Sequence, residues 1–367
     1  MNHIYAGQSK VLAPLVGGSD LSFRLLSRKY GAQVTFTEMC ISEYYLRASD
    51  KTVRYKKYTF EFDPTDRPLL LQVAGNRPGP IIEMVNQDMF KGKIDAVDLN
   101  CGCPQGFALE KNYGCALLKD PDHLVNLCKE IAQNIPYPLS VKLRLEGNGF
   151  SRSTRLIIPD SVEHTIEIMM RLKEVGVRAF TVHGDKRGLA DWDAIKKIRE
   201  TFPDIPIIGN GNVGSHGDFQ SMIDHTGVDG VMAGYGALIK PCLFQSEEID
   251  IGQMVRDYLL IAVGHENDWI DIQRHIQWII KGKSTLIFEL SMQKAELFTT
   301  KNIPELISFL RGLTPPIHVE WNPEEIPMDR TTYPRQSVSA KDKRKEKKLA
   351  EKREKLLQRE KFQDKGS

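Results

Sequence analysis

Short apolar runs recur along the chain up to about residue 240, and longer amphipathic stretches separate them. The runs are rich in Val, Ile and Leu, which is typical of buried strands. They span residues 11–15, 34–37, 69–73, 96–99, 139–143, 179–182, 205–209 and 230–233. The stretches at 21–30, 122–134, 161–175, 192–202 and 215–224 have helical spacing, and several follow a Ser or Asp suited to capping a helix.

Strands that alternate with helices predict a parallel sheet. Eight such units in about 240 residues favour a closed (β/α)8 TIM barrel over an open doubly wound sheet. After Pro241 the strand pattern ends, and helical spacing continues at 254–263, 269–280, 288–298 and 303–312. We therefore predict an α/β fold with a barrel over 1–244, followed by a smaller all-helical domain over 245–315.

Residues 316–367 form the remaining segment, in which a Pro-containing linker precedes a charged C-terminal tail. The whole chain has a formal charge of +2, but from Arg335 onward 13 Lys or Arg stand against 6 Asp or Glu. We call residues 335–367 the basic tail and expect it to be helical or disordered, and unpacked. It could be a solvated extension or an arm that binds phosphates, and the sequence leaves both interpretations open.

Composition limits the class of protein. A hydrophobic content of 41% is enough for a sizeable core. The six cysteines lack the paired C-x-x-C spacing of a structural zinc site, so we expect free thiols and no metal. No secretion signal or apolar run of membrane-spanning length is evident. These features predict a cytoplasmic protein without a membrane partner, and a nuclear fraction stays open.

Polar residues and glycines follow nearly every predicted strand, at the end where a barrel builds its active site. In chain order the candidates are Pro14, Leu15, Val16, Gln72, Asn100, Cys103, Lys142, Arg144, His183, Asn210, Gly211, Asn212, Gly234 and Tyr235. The glycine-rich turns after the seventh and eighth strands suit a phosphate, although each alone could be only a tight turn.

A flavin fits the remaining groups at the barrel mouth. Its reduced ring is anionic near N1 and O2, so a cation such as Lys142, with His183 beside it, would favour reduction. The carboxamide of Gln72 could pair with the donor and acceptor atoms of the pyrimidine portion. The shared position of these residues predicts a flavin site with a phosphate cradle.

Cys103 is the candidate acid. It lies in a loop between Gly102 and Pro104, which we expect to turn the side chain toward the barrel mouth. A thiol is protonated at neutral pH and can deliver a proton to a substrate carbon. A nucleophilic role stays open, but no base partner is evident. Cys101 is better interpreted as a small buried hydrophobe.

The motifs resemble those of the tRNA-dihydrouridine synthases from about residue 11 to residue 244. They are NCGCPQ at 100–105, NYGCALL at 112–118, VKLR at 141–144, TVHG at 181–184 and GLADW at 188–192. Within that family, LSRKYGA at 26–32, TEM at 37–39 and CPQG at 103–106 are most similar to the eukaryotic tRNA-dihydrouridine(16/17) synthases.

The resemblance implies a reaction and a set of roles. FMN would be reduced by NADPH, a uridine of the tRNA D-loop would flip onto the flavin, hydride would pass from N5 to uracil C6, and Cys103 would protonate C5. Asn100, Lys142 and Arg144 match positions that hold the uracil or the flavin edge. The other candidates match FMN contacts, and the helical domain and basic tail would contact tRNA phosphates.

Three departures from the family pattern stand out. Only residues 185–187 separate His183-Gly184 from GLADW, the segment 146–159 is long, and Tyr235 replaces a phosphate-binding arginine. Two alternatives also stay open. One is a flavin barrel that acts on a small molecule, like dihydroorotate dehydrogenase, and the other is a noncatalytic RNA-binding barrel.

Overall fold

The computed structural model describes residues 1–5, 7–47, 60–145, 162–186, 189–282, 296–313 and 315–322. The chain divides into two compact units. The first is Met1–Asp250, and the second begins at Ile251. The helices and strands of each unit are given separately below.

A ring of parallel strands forms the centre of the first unit. The strands are β1 (Ser9–Leu12), β2 (Thr35–Phe36), β4 (Leu69–Ala74), β5 (Ala96–Cys101), β6 (Leu139–Arg144), β7 (Val177–His183), β10 (Ile207–Asn210) and β11 (Gly230–Ala233). Their order is β1-β11-β10-β7-β6-β5-β4-β2. A parallel bridge between Val11 and Val34 links β1 to β2. The ring is therefore nearly closed, and the predicted (β/α)8 barrel is confirmed.

Each of the eight predicted runs overlaps a barrel strand, and the differences lie at the ends. β1 stops at Leu12, close before Pro14, and β10 starts just after Pro206. Proline has no N–H to donate to a strand ladder, so it limits a strand at these places. β7 is longer than predicted because His183 pairs with Arg144 at the end of β6. Short pairs add β3 (Cys40–Ile41), β8 (Asp185–Lys186) and β9 (Leu189–Ala190).

Helices fill the connections between the strands. The five predicted ones are α1 (Leu21–Lys29), α5 (Pro121–Asn134), α6 (Val162–Glu174), α7 (Trp192–Thr201) and α8 (His216–Thr226). Asp20, Asp120 and Asp191 accept hydrogen bonds from the first turns of α1, α5 and α7, as the capping pattern predicts. Four further helices were not predicted: α2 (Ser42–Leu46), α3 (Pro78–Val85), α4 (Gly106–Glu110) and α9 (Tyr235–Ile239).

The N-terminal residues pack into the barrel core. Ile4 and Tyr5 are buried and join an apolar cluster that includes Leu70, Ala96 and Ile208 from three barrel strands. Leu70 and Ala96 precede Gln72 and Asp98 on their strands, so this cluster lies toward the amino ends. The carboxyl ends of the barrel strands are therefore left for the polar residues of the candidate site.

A buried ion cluster attaches α1 to the loop before β4. The carboxylate of Asp66 accepts from Arg24 Nε over 2.7 Å and from Arg28 Nε over 2.6 Å. Burial alone would raise the pKa of Asp66, but the two guanidinium groups outweigh it and lower that pKa. Asp66 also accepts the hydroxyl hydrogen bond of Thr35 on β2, which joins this cluster to the barrel.

The second unit is helical in the part of the chain that the structure describes. Its helices are α10 (Ile251–Gly264), α11 (Trp269–Lys281) and α12 (Ile303–Arg311). Val263 packs against Ile303 and Ile307. Residues 283–295, 146–161, 187–188 and 323–367 lie outside the described residues, and so do most of the predicted helix 288–298, the long segment 146–159 and the basic tail. Among the described helices none is long and apolar enough to cross a membrane.

Candidate active site

The strand register gathers the predicted polar residues at one end of the barrel. Asn100 on β5 lies beside Lys142 on β6, and Arg144 lies beside His183 on β7. His183 in turn pairs with Asn210 on β10. These positions are the carboxyl ends of four adjacent strands, so residues far apart in the sequence share one small region.

Lys142 is held within this region by a hydrogen bond. Its Nζ donates to Oδ1 of Asn210 over 3.0 Å, and Asn210 Nδ2 donates to the Met232 carbonyl over 2.8 Å. Burial lowers the pKa of Lys142 to about 8, although the nearby Asp98 raises that pKa and Arg144 lowers it further. The site therefore contains a positioned cation that loses its charge under mildly alkaline conditions.

Asp98 is a functional candidate that sequence reasoning missed. Its carboxylate is buried and accepts from Gln72 Nε2 over 2.8 Å and from Ser140 Oγ over 2.7 Å. Burial raises the pKa of Asp98 to about 6, against the lowering effects of these two hydrogen bonds and of Lys142. The available signal was a carboxylate inside the apolar run 96–99, two residues before Asn100 and so on the same face of the strand.

Gln72 and Asn100 continue the hydrogen bonds that start at Asp98. Asn100 Nδ2 donates to Gln72 Oε1 over 3.0 Å. Asn100 Oδ1 accepts the backbone N–H of Gly102 over 3.2 Å and that of Cys103 over 3.0 Å. Gln72 is only 1% exposed and Asn100 only 9%, so this is an interior chain of polar contacts. Gln72 Nε2, Gln72 Oε1 and Asn100 Nδ2 each keep one further bonding position, whereas Asn100 Oδ1 already accepts two N–H groups.

Cys103 lies in the loop after β5 and is half-buried. It packs against the apolar cluster that contains Met39 and Tyr113, and its carbonyl accepts the N–H of Cys115 over 3.1 Å. Gly114 has φ +65°, and a Cβ there would lie 2.6 Å from the Cys103 carbonyl oxygen. The segment 112–118 therefore packs directly on the Cys103 loop. Cys101 is fully buried, as predicted.

The two predicted phosphate turns approach each other backbone to backbone. Gly211, after β10, has φ +127°, and its neighbour Asn212 has φ +57°. Gly236, in the first turn of α9 directly after β11, leaves no room for a side chain, because a Cβ there would overlap the Val213 carbonyl oxygen and lie 3.1 Å from Gly214 Cα. Glycine thus permits a contact that any larger residue would separate.

The turn after β1 reaches the same region. A Cβ on Gly234 would lie 3.5 Å from the side chain of Ala13 and 3.6 Å from that of Leu15. Pro14 and Leu15 are half-buried, whereas Val16 and Tyr235 are exposed. The three predicted turns at 14–16, 210–212 and 234–235 are therefore neighbours at one end of the barrel.

Four large apolar side chains in the segments that follow barrel strands are exposed. Among the described residues they are Val16 after β1, Phe107 after β5, Leu189 after β7 and Tyr235 after β11. Phe107 and Leu189 were not predicted as site residues. We call these four residues the apolar rim. Within the described residues no cluster of three His, Cys, Asp or Glu could hold a metal ion.

A family model described as dihydrouridine synthase matches residues 11–302, which include the barrel and most of the second unit's described helices. The chain belongs to the dihydrouridine synthase family. The family resemblance inferred from the motifs is thereby confirmed, and the matched range contains every candidate site residue.

Curated relatives support membership of the dihydrouridine synthase family. The chain is 30% identical over 279 residues to a mouse protein named tRNA-dihydrouridine(16/17) synthase [NAD(P)(+)]-like, a match that covers 74% of this chain and 54% of the relative. It is 31% identical over 271 residues to the Saccharomyces cerevisiae tRNA-dihydrouridine(16/17) synthase [NAD(P)(+)], with 69% and 60% covered. A human tRNA-dihydrouridine(20a/20b) synthase [NAD(P)+]-like protein is 28% identical over 276 residues, with 74% and 82% covered.

The coverage and names of these relatives limit what the family match conveys. The chain matches a little over half the length of the mouse and yeast proteins, 54% and 60%. The names also differ in the modified position, although the identities are close. Membership in the dihydrouridine synthase family therefore leaves the target uridine to be proposed from other evidence.

Proposed function

We propose that this chain is an FMN-dependent, NADPH-driven oxidoreductase that reduces uridine to 5,6-dihydrouridine in the D-loop of tRNA, at positions 16/17. One observation carries the proposal. Asn100, which holds the Cys103 loop, is the register partner of Lys142 on the adjacent strand. The loop that carries the candidate acid is thus anchored beside the strand that carries the cation, in a chain whose family is named for this reaction.

The residues at the carboxyl ends fit FMN. The two glycine turns meet without intervening side chains. We expect backbone N–H groups of these turns to bind the phosphate. Lys142 supplies a cation for the edge of the ring that becomes anionic on reduction. We assign cofactor binding to the turns 14–16, 210–212 and 234–235, together with Gln72, Lys142 and His183. Reduced FMN, when bound, would supply the hydride for C6 of uracil.

Side chains of the protein would stabilise the negative charge that develops on the uracil and would supply the proton for C5. Hydride addition at C6 builds enolate character on the uracil, and Asn100 and Arg144 would hold its carbonyl oxygens as that charge develops. The Cys103 thiol would then donate its proton to C5, and water would reprotonate the thiolate. One hydride and one proton added across the C5–C6 bond give dihydrouridine.

Access to the site requires a base that has left its stack. The apolar rim offers exposed side chains on which unstacked bases can pack, with Phe107 and Tyr235 as aromatic surfaces. The second unit and the basic tail would contribute phosphate contacts, because 13 Lys or Arg lie from Arg335 onward. We propose a cytoplasmic location with access to the nucleus.

The decisive experiment uses the full chain, FMN, NADPH and an unmodified tRNA transcript. We expect a yellow protein, NADPH oxidation that tRNA stimulates, and dihydrouridine detected by mass spectrometry and mapped to the D-loop. Cys103→Ala should keep flavin and tRNA binding but lose most product. Oxidation stimulated by orotate and not by tRNA would instead indicate a small-molecule reductase. A colourless protein that binds tRNA would indicate a noncatalytic barrel.

A further inference from the structure

The hydrogen bonds between Asp98 and the Cys103 loop all run in one direction. An ionised carboxylate only accepts, so Gln72 must present its Nε2 to Asp98. Gln72 Oε1 then faces Asn100, which must present Nδ2. Asn100 Oδ1 is left to accept the N–H groups of Gly102 and Cys103. The carboxylate therefore sets the orientation of two amides and, through them, of the loop.

We propose that Asp98 is a positioning residue for Cys103 that acts through the amides of Gln72 and Asn100. The inference rests on the proposed function of Cys103 as the proton donor. Asp98 touches neither the loop nor the reacting atoms, so its effect on the reaction would be indirect. It would fix where the thiol stands relative to C5 of a bound uracil.

We call the hydrogen bonds from Asp98 through Gln72 and Asn100 to the Cys103 loop the relay. Burial makes the relay effective. Asp98 is fully buried, and Gln72 and Asn100 are nearly so, which leaves water unable to replace a lost contact. If one amide rotated by 180°, a buried donor would face a donor or an acceptor would face an acceptor. Ser140 on β6 holds the second oxygen of Asp98 in place. The relay thus has a fixed start at Asp98 and a fixed end at the Cys103 backbone.

A pair of substitutions can reverse the direction of the relay. Asn100→Asp still accepts the two loop N–H groups, but it cannot donate to Gln72. Gln72 must then rotate and present Oε1 to Asp98, where two acceptors meet. Adding Asp98→Asn supplies a donor for the rotated Gln72 and makes the chain consistent again. A merely structural Asp98 predicts no such rescue.

The test measures the alkylation rate of the Cys103 thiol by iodoacetamide at pH 8, with the site of labelling located by mass spectrometry. We expect Asn100→Asp to change this rate at least about tenfold, the effect of losing one or more buried hydrogen bonds. The double variant Asp98→Asn/Asn100→Asp should return to within about threefold of the wild-type alkylation rate.

The matched control is Asp95→Asn/Asn100→Asp, which has the same net charge as the rescuing pair. Asp95 stands just before β5, where it accepts from Arg67 and from the Leu69 N–H, outside the relay. This variant should stay as impaired as Asn100→Asp. A double variant with Asp98→Asn that is no closer to wild type than this control would overturn the proposal.

Two provisions keep the result decisive. If Asn100→Asp does not fold, Gln72→Glu with and without Asp98→Asn poses the same question in the alkylation assay, because the new carboxylate again needs a donor at position 98. Alkylation requires neither tRNA nor NADPH. A wild-type protein that forms no dihydrouridine would therefore refute the proposed function while the relay is still tested.

Discussion

Lys142 on β6 donates a hydrogen bond to Asn210 on β10, across the intervening strand β7. The acceptor is an amide oxygen and not a carboxylate, so this bond positions the ammonium group without neutralising it. Asn210 is itself fixed by its bond to the Met232 carbonyl on β11. Three strands therefore cooperate to hold one cation at the mouth of the barrel.

The charge on Lys142 should control flavin binding and make it depend on pH. Because the pKa of Lys142 is lowered to about 8, the cation is present below that pH and is lost above it. We expect the FMN affinity of the wild-type protein to fall between pH 7 and pH 9. Lys142→Met should bind FMN more weakly at pH 7 and lose this dependence. Fluorescence titration of FMN at several pH values measures both effects.

Lys173→Met is the matched control for that titration. Lys173 makes an exposed ion pair with Asp204 on the outside of the barrel, so its loss should leave the FMN affinity and its pH profile unchanged. Parallel pH profiles for wild type and Lys142→Met would assign the dependence to another group.

Asp98 should make the free energy of unfolding depend on pH. Its folded-state pKa is raised to about 6, above the ordinary value of 3.8, so the folded protein holds this proton more tightly than the unfolded chain does. Burial of the charge costs stability above pH 6, and this cost disappears as the pH falls toward 4. As the pH falls from 7 to 4.5, the free energy of unfolding of the wild type should therefore rise relative to that of Asp98→Asn, by on the order of 3 kcal/mol at most. Urea unfolding at pH 7 and pH 4.5 checks this, and an unchanged difference would contradict it.

The sequence predicts the barrel well because its strands are buried on both faces. Runs such as 179–182 and 230–233 consist almost entirely of residues suited to a core, and each lies within a strand. The ends were less predictable where Pro14 and Pro206 limit pairing. Helix α3 was missed because its first turn contains Pro78 and Pro80, although proline is well tolerated at the start of a helix.

The candidate site was predictable in its members but not in their connections. Lys142, Asn100 and Gln72 stand out because polar residues at strand ends are rare in a core. Asp98 stands inside an apolar run, and only the register shows that it meets Gln72 on β4 and Ser140 on β6. Hydrogen bonds across strands depend on register and side-chain direction, which a single sequence does not specify.

The ion cluster around Asp66 should be a major source of stability. Asp66→Asn would leave the buried guanidinium group of Arg24 and the half-buried one of Arg28 without their carboxylate. Removing one partner of a buried ion pair typically costs about 3–5 kcal/mol. Asp204→Asn, which breaks the exposed pair with Lys173, should lower the free energy of unfolding far less, because solvent screens that pair. Equal losses for the two variants in urea unfolding would contradict this assignment.

The contact between the two glycine turns should be essential for the cofactor site. A side chain at position 236 should disrupt this contact. Gly236→Ala places a methyl group on the carbonyl oxygen of Val213. Neither the methyl group nor this backbone oxygen can rotate away, so the two turns must separate. Because phosphate binding by backbone N–H groups depends on their convergence, we expect FMN affinity to fall at least about tenfold, or 1.4 kcal/mol. Gly264→Ala is the control, since a Cβ there meets nothing within 4 Å. Fluorescence titration of FMN with both variants measures this difference in affinity. If Gly236→Ala bound FMN as tightly as Gly264→Ala, the phosphate would have to lie elsewhere than between these turns.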